Sequence, residues 1–69
     1  MVEVFKTNVQ HTTIAKELST ELLAHLPNSK ISFDLEDCDK VLRIESTMVR
    51  PTIVVNTLRK KGFTCEVLE

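Results

Sequence analysis

The chain has 69 residues, of which 42% are hydrophobic and 28% are charged, and its formal net charge is −1 at pH 7. We expect one domain over residues 1–69, near the lower size limit for folding without a disulfide or a structural metal. The balanced charge excludes a general nucleic-acid binder, which needs surplus Lys and Arg to displace counterions from phosphates. No apolar run approaches the roughly 18 residues of a membrane span, and the N-terminus shows no signal-peptide pattern. We therefore expect a cytoplasmic protein without a membrane partner.

The first third of the chain predicts a strand followed by a helix. Residues 2–7 alternate weakly between apolar and polar side chains, which is typical of a strand. Residues 8–12 form a short connection, and Thr12 or Thr13 is expected to cap the helix that follows. The apolar side chains of this helix share one stripe, and residues 27–29 end it. The stripe consists of Ile14, Leu18, Leu22 and Leu26.

The middle of the chain, KISFDLEDCDKVLRIES, predicts a β-hairpin. Ile31, Phe33 and Leu35 share one face of its first strand, and polar residues occupy the other face. Residues 36–39 form a polar turn, and Leu42 and Ile44 alternate with Val41, Arg43 and Glu45 in the return strand. One face of the hairpin is therefore expected to be buried and the other to face water.

The last third predicts a second helix and a closing strand. Pro51 suits the first turn of a helix, where its missing N–H costs nothing. Val54, Val55 and Leu58 form the inward stripe, and Gly62 ends the helix. Phe63, Cys65 and Val67 are expected on the core side of the final strand.

The order of elements is strand, helix, strand, strand, helix, strand, which predicts an α+β, ferredoxin-like βαββαβ sandwich. Right-handed crossovers place both helices on one face of a four-stranded antiparallel sheet. We expect the first and third strands in the centre of that sheet.

The two ends, FKTNVQHTTIAKEL and PTIVVNTLRKKGFTCEVLE, resemble the halves of a heavy-metal-associated domain, the fold of the copper metallochaperones. The second half carries the stronger match, with Pro51, Val54 and Leu58 followed by Gly62-Phe63 and a final strand. In that family the loop after the first strand carries Met-x-Cys-x-x-Cys and binds a soft ion. An aromatic residue commonly lies over this loop, and the resemblance gives that place to Phe63.

The chain departs from the family at this loop, which contains no cysteine. The cysteine positions of the family correspond to Gln10 and Thr13 or, with a shift of one residue, to His11 and Ile14. Oxygen donors of Gln and Thr hold soft metals poorly, so we expect high-affinity copper or mercury transport to be absent. His11 is the remaining metal-capable side chain of the loop. Its presence leaves two alternatives: weak binding of a divalent transition metal, or a solvated histidine without a metal. No other cofactor is expected.

The remaining candidate residues have structural explanations. Cys38 lies among carboxylates, whose negative charge disfavours a nucleophilic thiolate, and Cys65 is expected to be a small buried hydrophobe. The predicted fold separates the two cysteines and disfavours a disulfide. His25 suits the end of the first helix. The acidic residues of the hairpin lack the glycine-bearing loop of a calcium site and are expected to be solvated: Asp34, Glu36, Asp37 and Asp39.

The sequence favours a binding function over catalysis. It has one Gly, and therefore no Gly-rich phosphate loop, and no recognisable catalytic set, so we do not expect an enzyme. The sheet face without helices is expected to carry a small apolar patch that suits a protein partner or a homodimer. This patch consists of Val2, Val4, Val41 and Leu68. Two functions stay open: a protein-interaction or regulatory module that has lost the metal-binding cysteines, and a residual heavy-metal binding or transport domain that uses His11.

Overall fold

The structure, a computed structural model, describes residues 1–68, so Glu69, the last residue of the predicted domain, lies outside the described part. Six elements follow in the predicted order: β1 (Val2–Thr7), α1 (Thr12–His25), β2 (Lys30–Asp34), β3 (Val41–Glu45), α2 (Pro51–Lys60) and β4 (Cys65–Val67). The strands form one antiparallel sheet in the order β2-β3-β1-β4. The two helices pack against each other on one face of the sheet, with α1 near β2 and α2 near β4. The predicted α+β, ferredoxin-like fold is confirmed, with β1 and β3 in the centre.

The core lies between the sheet and the two helices. Phe5 on β1 pairs with Leu42 on β3, and Glu3 pairs with Ile44, so the inward side chains of the central strands adjoin. The helices cover this layer with Leu18 and Leu22 of α1 and with Val54 and Leu58 of α2. The buried hydrophobic residues are Phe5, Val9, Ala15, Leu18, Leu22, Leu26, Leu42, Ile44, Val49, Val54, Leu58 and Cys65.

One sequence prediction about the ends of elements was wrong. The N-cap of α1 is His11, which has extended backbone angles and makes no side-chain capping bond, so Thr12 and Thr13 lie inside the helix. The helix begins earlier than predicted because Val9 enters the core, with 0% of its surface exposed, and shortens the connection. Val67 pairs with Phe5 and therefore lies on the predicted core side of β4, where it is 41% exposed near the end of this short edge strand.

The C-terminal end of α2 places Phe63. Gly62 has a φ of 88°, which a side chain would disfavour. Its N–H donates to the carbonyl oxygen of Arg59 at 3.0 Å, and the N–H of Phe63 donates to that of Leu58 at 3.0 Å. These two bonds make up a Schellman motif, in which the residue after the glycine packs back towards the helix. Phe63 is accordingly half-buried against the core.

No helix within residues 1–68 is both long enough and apolar enough to cross a membrane.

Candidate functional site

The corner after β1, where the resemblance predicts a metal loop, is organised by Thr7. Thr7 is buried, and its hydroxyl donates a hydrogen bond of 2.6 Å to the carbonyl oxygen of Lys40. The hydroxyl oxygen of Thr7 in turn accepts a hydrogen bond of 3.2 Å from the backbone N–H of Val9. The N–H of Thr7 donates to the carbonyl oxygen of Asp39 at 3.1 Å. One threonine therefore joins the end of β1 to the loop on one side and to the end of the hairpin turn on the other.

Asn8 fixes the opposite side of the corner. Its side-chain oxygen accepts a hydrogen bond of 2.9 Å from the backbone N–H of Thr64, which precedes β4. On the side of the hairpin, Lys6 Nζ lies 3.7 Å from Asp39 Oδ1. Because both side chains are partly exposed, this ion pair adds little to the stability of the fold. The loop is thus held between the hairpin turn and the start of β4. The side chains of Thr7 and Asn8 hold the loop in place, mainly through hydrogen bonds to backbone groups.

The four positions to which the resemblance assigns the cysteines differ in their surroundings. Gln10, His11 and Thr13 are exposed to solvent at the start of α1. Ile14 is half-buried and packs against the core. A soft ion at either pair would therefore meet oxygen donors, or one imidazole beside an aliphatic side chain.

Phe63 lies on the same side of α1 as Ile14. The two line a groove with Leu18 on its floor, and Glu21 and Lys61 contribute polar groups to it. Lys61 Nζ lies 3.8 Å from Glu21 Oε2, and both side chains are largely exposed. Phe63 thus shares this groove with Ile14, which belongs to the first turn of α1.

The two thiols lie outside this loop. Cys65 is 2% exposed and pairs with Thr7 across the sheet. Burial is the main cause that raises the pKa of the Cys65 thiol to about 11, so the thiol stays protonated at neutral pH. Cys38 is exposed in the turn between β2 and β3, and both cysteines are free. The sequence prediction of a buried Cys65 and no disulfide agrees with this arrangement.

The hairpin turn contains the one group of three potential ligands found among residues 1–68. Side-chain atoms of Asp37, Cys38 and Asp39 lie within 4.8 Å of one another. The carboxylate of Asp37 already accepts the backbone N–H of Asp39 at 2.9 Å, and that of Asp34 accepts the N–H of Glu36 at 3.3 Å. Such bonds are ordinary contacts of a turn, so they explain the positions of the Asp34 and Asp37 carboxylates without an ion.

The two histidines occupy opposite ends of α1. His11 is its N-cap and His25 its last residue, and both are exposed. A helix rises about 1.5 Å per residue, which separates them by about 20 Å. The two imidazoles cannot share an ion within one molecule.

Three of the apolar residues predicted for the sheet face without helices lie next to one another. Leu68 N–H donates to the carbonyl oxygen of Val4 at 2.8 Å, which places Leu68 beside Val4, and Val2 lies on the same face of β1. Val41 is half-buried and pairs with Asp34 towards the other edge. Val2 is 53% exposed and Leu68 37% exposed. We refer to Val2, Val4 and Leu68 as the open-face patch.

Comparisons of the chain with protein-family models, with curated proteins and with solved structures found no match. The resemblance to heavy-metal-associated domains therefore remains a hypothesis that rests on the residues quoted for it.

Sequence reasoning missed Thr7 and Asn8, which hold the corner together. The available signal was chemical: Thr and Asn at the end of a strand can bond neighbouring backbone groups and so fix the following loop. Neither side chain offers a soft donor atom for a metal ion. The hydrogen bonds that hold the corner begin at residue 7, before the predicted metal positions at residues 10–14.

The corner gives a test by substitution. Thr7→Val keeps the shape of the side chain but leaves the partly buried carbonyl of Lys40 and the buried N–H of Val9 without this partner. We expect the free energy of unfolding to fall by about 1–3 kcal/mol, measured by urea denaturation. The matched control is Thr57→Val, because Thr57 is equally buried but its hydroxyl bonds the carbonyl of Ile53 within its own helix. An equal loss in both variants would contradict the role assigned to Thr7.

Proposed function

We propose that this chain is a small, non-catalytic protein-interaction domain that resembles heavy-metal-associated domains and has lost their metal-binding cysteines. The proposal rests on which groups occupy the β1–α1 corner, the loop between the end of β1 and the start of α1. Its backbone is bonded by Thr7 and Asn8, and Val9 fills the space below it. The thiol of Cys65 is protonated within the core, and Cys38 belongs to the hairpin turn. A soft ion would find no prepared sulfur ligands in such a corner.

The distribution of ionisable groups supports a non-catalytic role. Catalytic sites usually bring together several titratable groups in a cleft and shift their pKa values. Here the raised pKa belongs to Cys65, and desolvation in the core explains it. The grooves beside α1 are lined mainly by aliphatic, hydroxyl and exposed charged side chains. Such grooves suit the recognition of another surface better than the activation of a substrate.

The open-face patch is the surface that we assign to a protein partner. Val2 and Leu68 are exposed on adjoining strands, with Val4 between them and Arg43 paired with Val4 across the sheet. Val2 pairs with Glu45, so charged residues flank these apolar side chains, as they do at the centre and rim of a small interface. This surface also suits the homodimer that the sequence predicts through the open sheet face.

The second candidate function is residual binding of a heavy metal through His11. Its support is that the imidazole is exposed at the N-terminus of α1, free of any packing role. A divalent transition metal would bind there through one nitrogen, with water or backbone oxygen as further ligands. One such nitrogen gives weak affinity.

Metal titration separates the two candidates. Calorimetry with Cu(I), Cu(II), Zn(II) and Ni(II) should show no submicromolar binding to the parent protein, because the corner offers no thiolate. His11→Ala should leave the isotherms nearly unchanged, and His25→Ala is the matched control at the other end of the helix. Submicromolar binding that His11→Ala abolishes and His25→Ala retains would reject the interaction domain in favour of the metal site.

The partner surface requires a separate test. We expect affinity capture from an extract of the source organism to recover a protein that binds the purified parent. Val2→Glu and Leu68→Glu should weaken this binding at least about tenfold, since a carboxylate replaces apolar contact area. Leu23→Glu is the control, because Leu23 is an exposed leucine on α1 at 43%. Equal binding by all three variants would exclude the open-face patch as the interface.

A further inference from the structure

Strand β2 is an edge of the sheet, and no strand within residues 1–68 covers its outer side. It spans Lys30–Asp34 and pairs with β3 on one side only. Its inward side chains, Ile31 and Phe33, are half-buried, although they face the helical layer. A groove between α1 and β2 exposes them, with Ala15 and Ser19 on the helical side. The strand therefore offers unpaired backbone groups next to apolar side chains.

The sequence of this edge strand is complementary to itself. It begins with Lys30, ends with Asp34 and has Ser32 at its centre, and these three side chains point to the open face of the sheet. Within residues 1–68 the ion pairs are Lys6–Asp39 and Lys61–Glu21, so neither Lys30 nor Asp34 takes part in one. Lys30 and Asp34 are equally distant from Ser32. When the strand lies antiparallel to a copy of itself, the Lys of each copy can therefore lie opposite the Asp of the other.

We propose that β2 pairs antiparallel with β2 of a second copy of this chain, about a two-fold axis through Ser32. This register places Lys30 opposite Asp34 of the second copy at both ends of the strand pair. It also places Ile31 opposite Phe33 of the second copy on the helical face, over the groove beside α1. Directly opposed charges and aromatic–aliphatic pairs are the contacts that stabilise antiparallel strands. The two sheets then continue into one, with all helices on the same side.

The geometry ends the assembly at a dimer. A two-fold contact uses the same surface on both copies, so it closes and leaves no free β2 edge. The other edge strand, β4, spans only Cys65–Val67, and very short strands are one means by which proteins protect an edge. Strand pairing over five residues buries a small area, so we expect a weak, concentration-dependent dimer. This inference does not depend on the open-face patch or on His11.

Charge reversal tests the register. Lys30→Asp alone places like charges opposite each other at both ends of the strand pair, and so does Asp34→Lys alone. We expect each variant to dimerise roughly tenfold or more weakly than the parent at low salt, measured by sedimentation. A 1:1 mixture of the two variants restores opposite charges at both ends and should recover the dimer. High salt should reduce the difference, because it screens exposed charges.

Glu66→Lys is the control, since it makes the same change in charge as Asp34→Lys on the other edge strand. It should leave dimerisation unchanged. The proposal fails if the parent remains monomeric up to millimolar concentration, or if each single variant dimerises like the parent. It also fails if the mixture does not associate more strongly than its components. Amide chemical-shift changes on dilution should centre on residues 30–34, and changes centred on the open-face patch would instead assign the dimer to that surface.

Discussion

The hydrogen bonds of the Thr7 hydroxyl are the constraint on which the remaining structure depends. Thr7 ends a central strand, and its side chain points into the core, where water is excluded. The hydroxyl donates to Lys40 and accepts from Val9, so both of those backbone groups are satisfied by one side chain. Buried backbone groups that lack a partner are costly. This single residue therefore sets where the hairpin returns to the sheet and where the chain leaves it towards α1.

The corner and a metal loop are alternative uses of the same place in this fold. A soft-metal site needs thiolates at the start of the helix and a loop that lets them meet an ion. Here the loop backbone is bonded to neighbouring segments by Thr7 and Asn8, and Val9 packs below it. We therefore propose that the chain binds through its surfaces and not through this corner. The open-face patch and the β2 edge are the two surfaces that carry proposals.

The layout of the fold was predictable because each element has a strong local pattern. Alternation marked the hairpin, and Gly62 marked the end of α2, where its positive φ completes the Schellman motif. The position of Val9 was not predictable, since a single valine in a polar loop gives no periodic signal. The N-cap was misplaced for the same reason: the position of Val9 in the core, and not a capping side chain, decides where α1 begins. The exposure of Val67 depends on how far the helices extend over β4, which is a tertiary property.

The candidate site was predictable only as a set of absent residues. The sequence shows that no cysteine occupies the loop, and it identifies His11 as the metal-capable side chain that remains. The bonds from Thr7 to Lys40 and from Asn8 to Thr64 join residues far apart in the chain. Such contacts exist only once the sheet has formed, so local sequence patterns do not contain them. The self-complementarity of Lys30–Asp34 is visible in the sequence, but it gains meaning only when β2 is known to be an edge.

Hydrogen exchange of the Val9 amide tests the central claim most directly. The amide is buried and bonded to the Thr7 hydroxyl, so its exchange should be protected to the same degree as the amides of the β1–β3 ladder. Nuclear magnetic resonance measures this rate residue by residue in the unmodified protein. Exchange of Val9 at the rate of an unstructured peptide, with the ladder still protected, would show an open loop and would contradict the account of the corner.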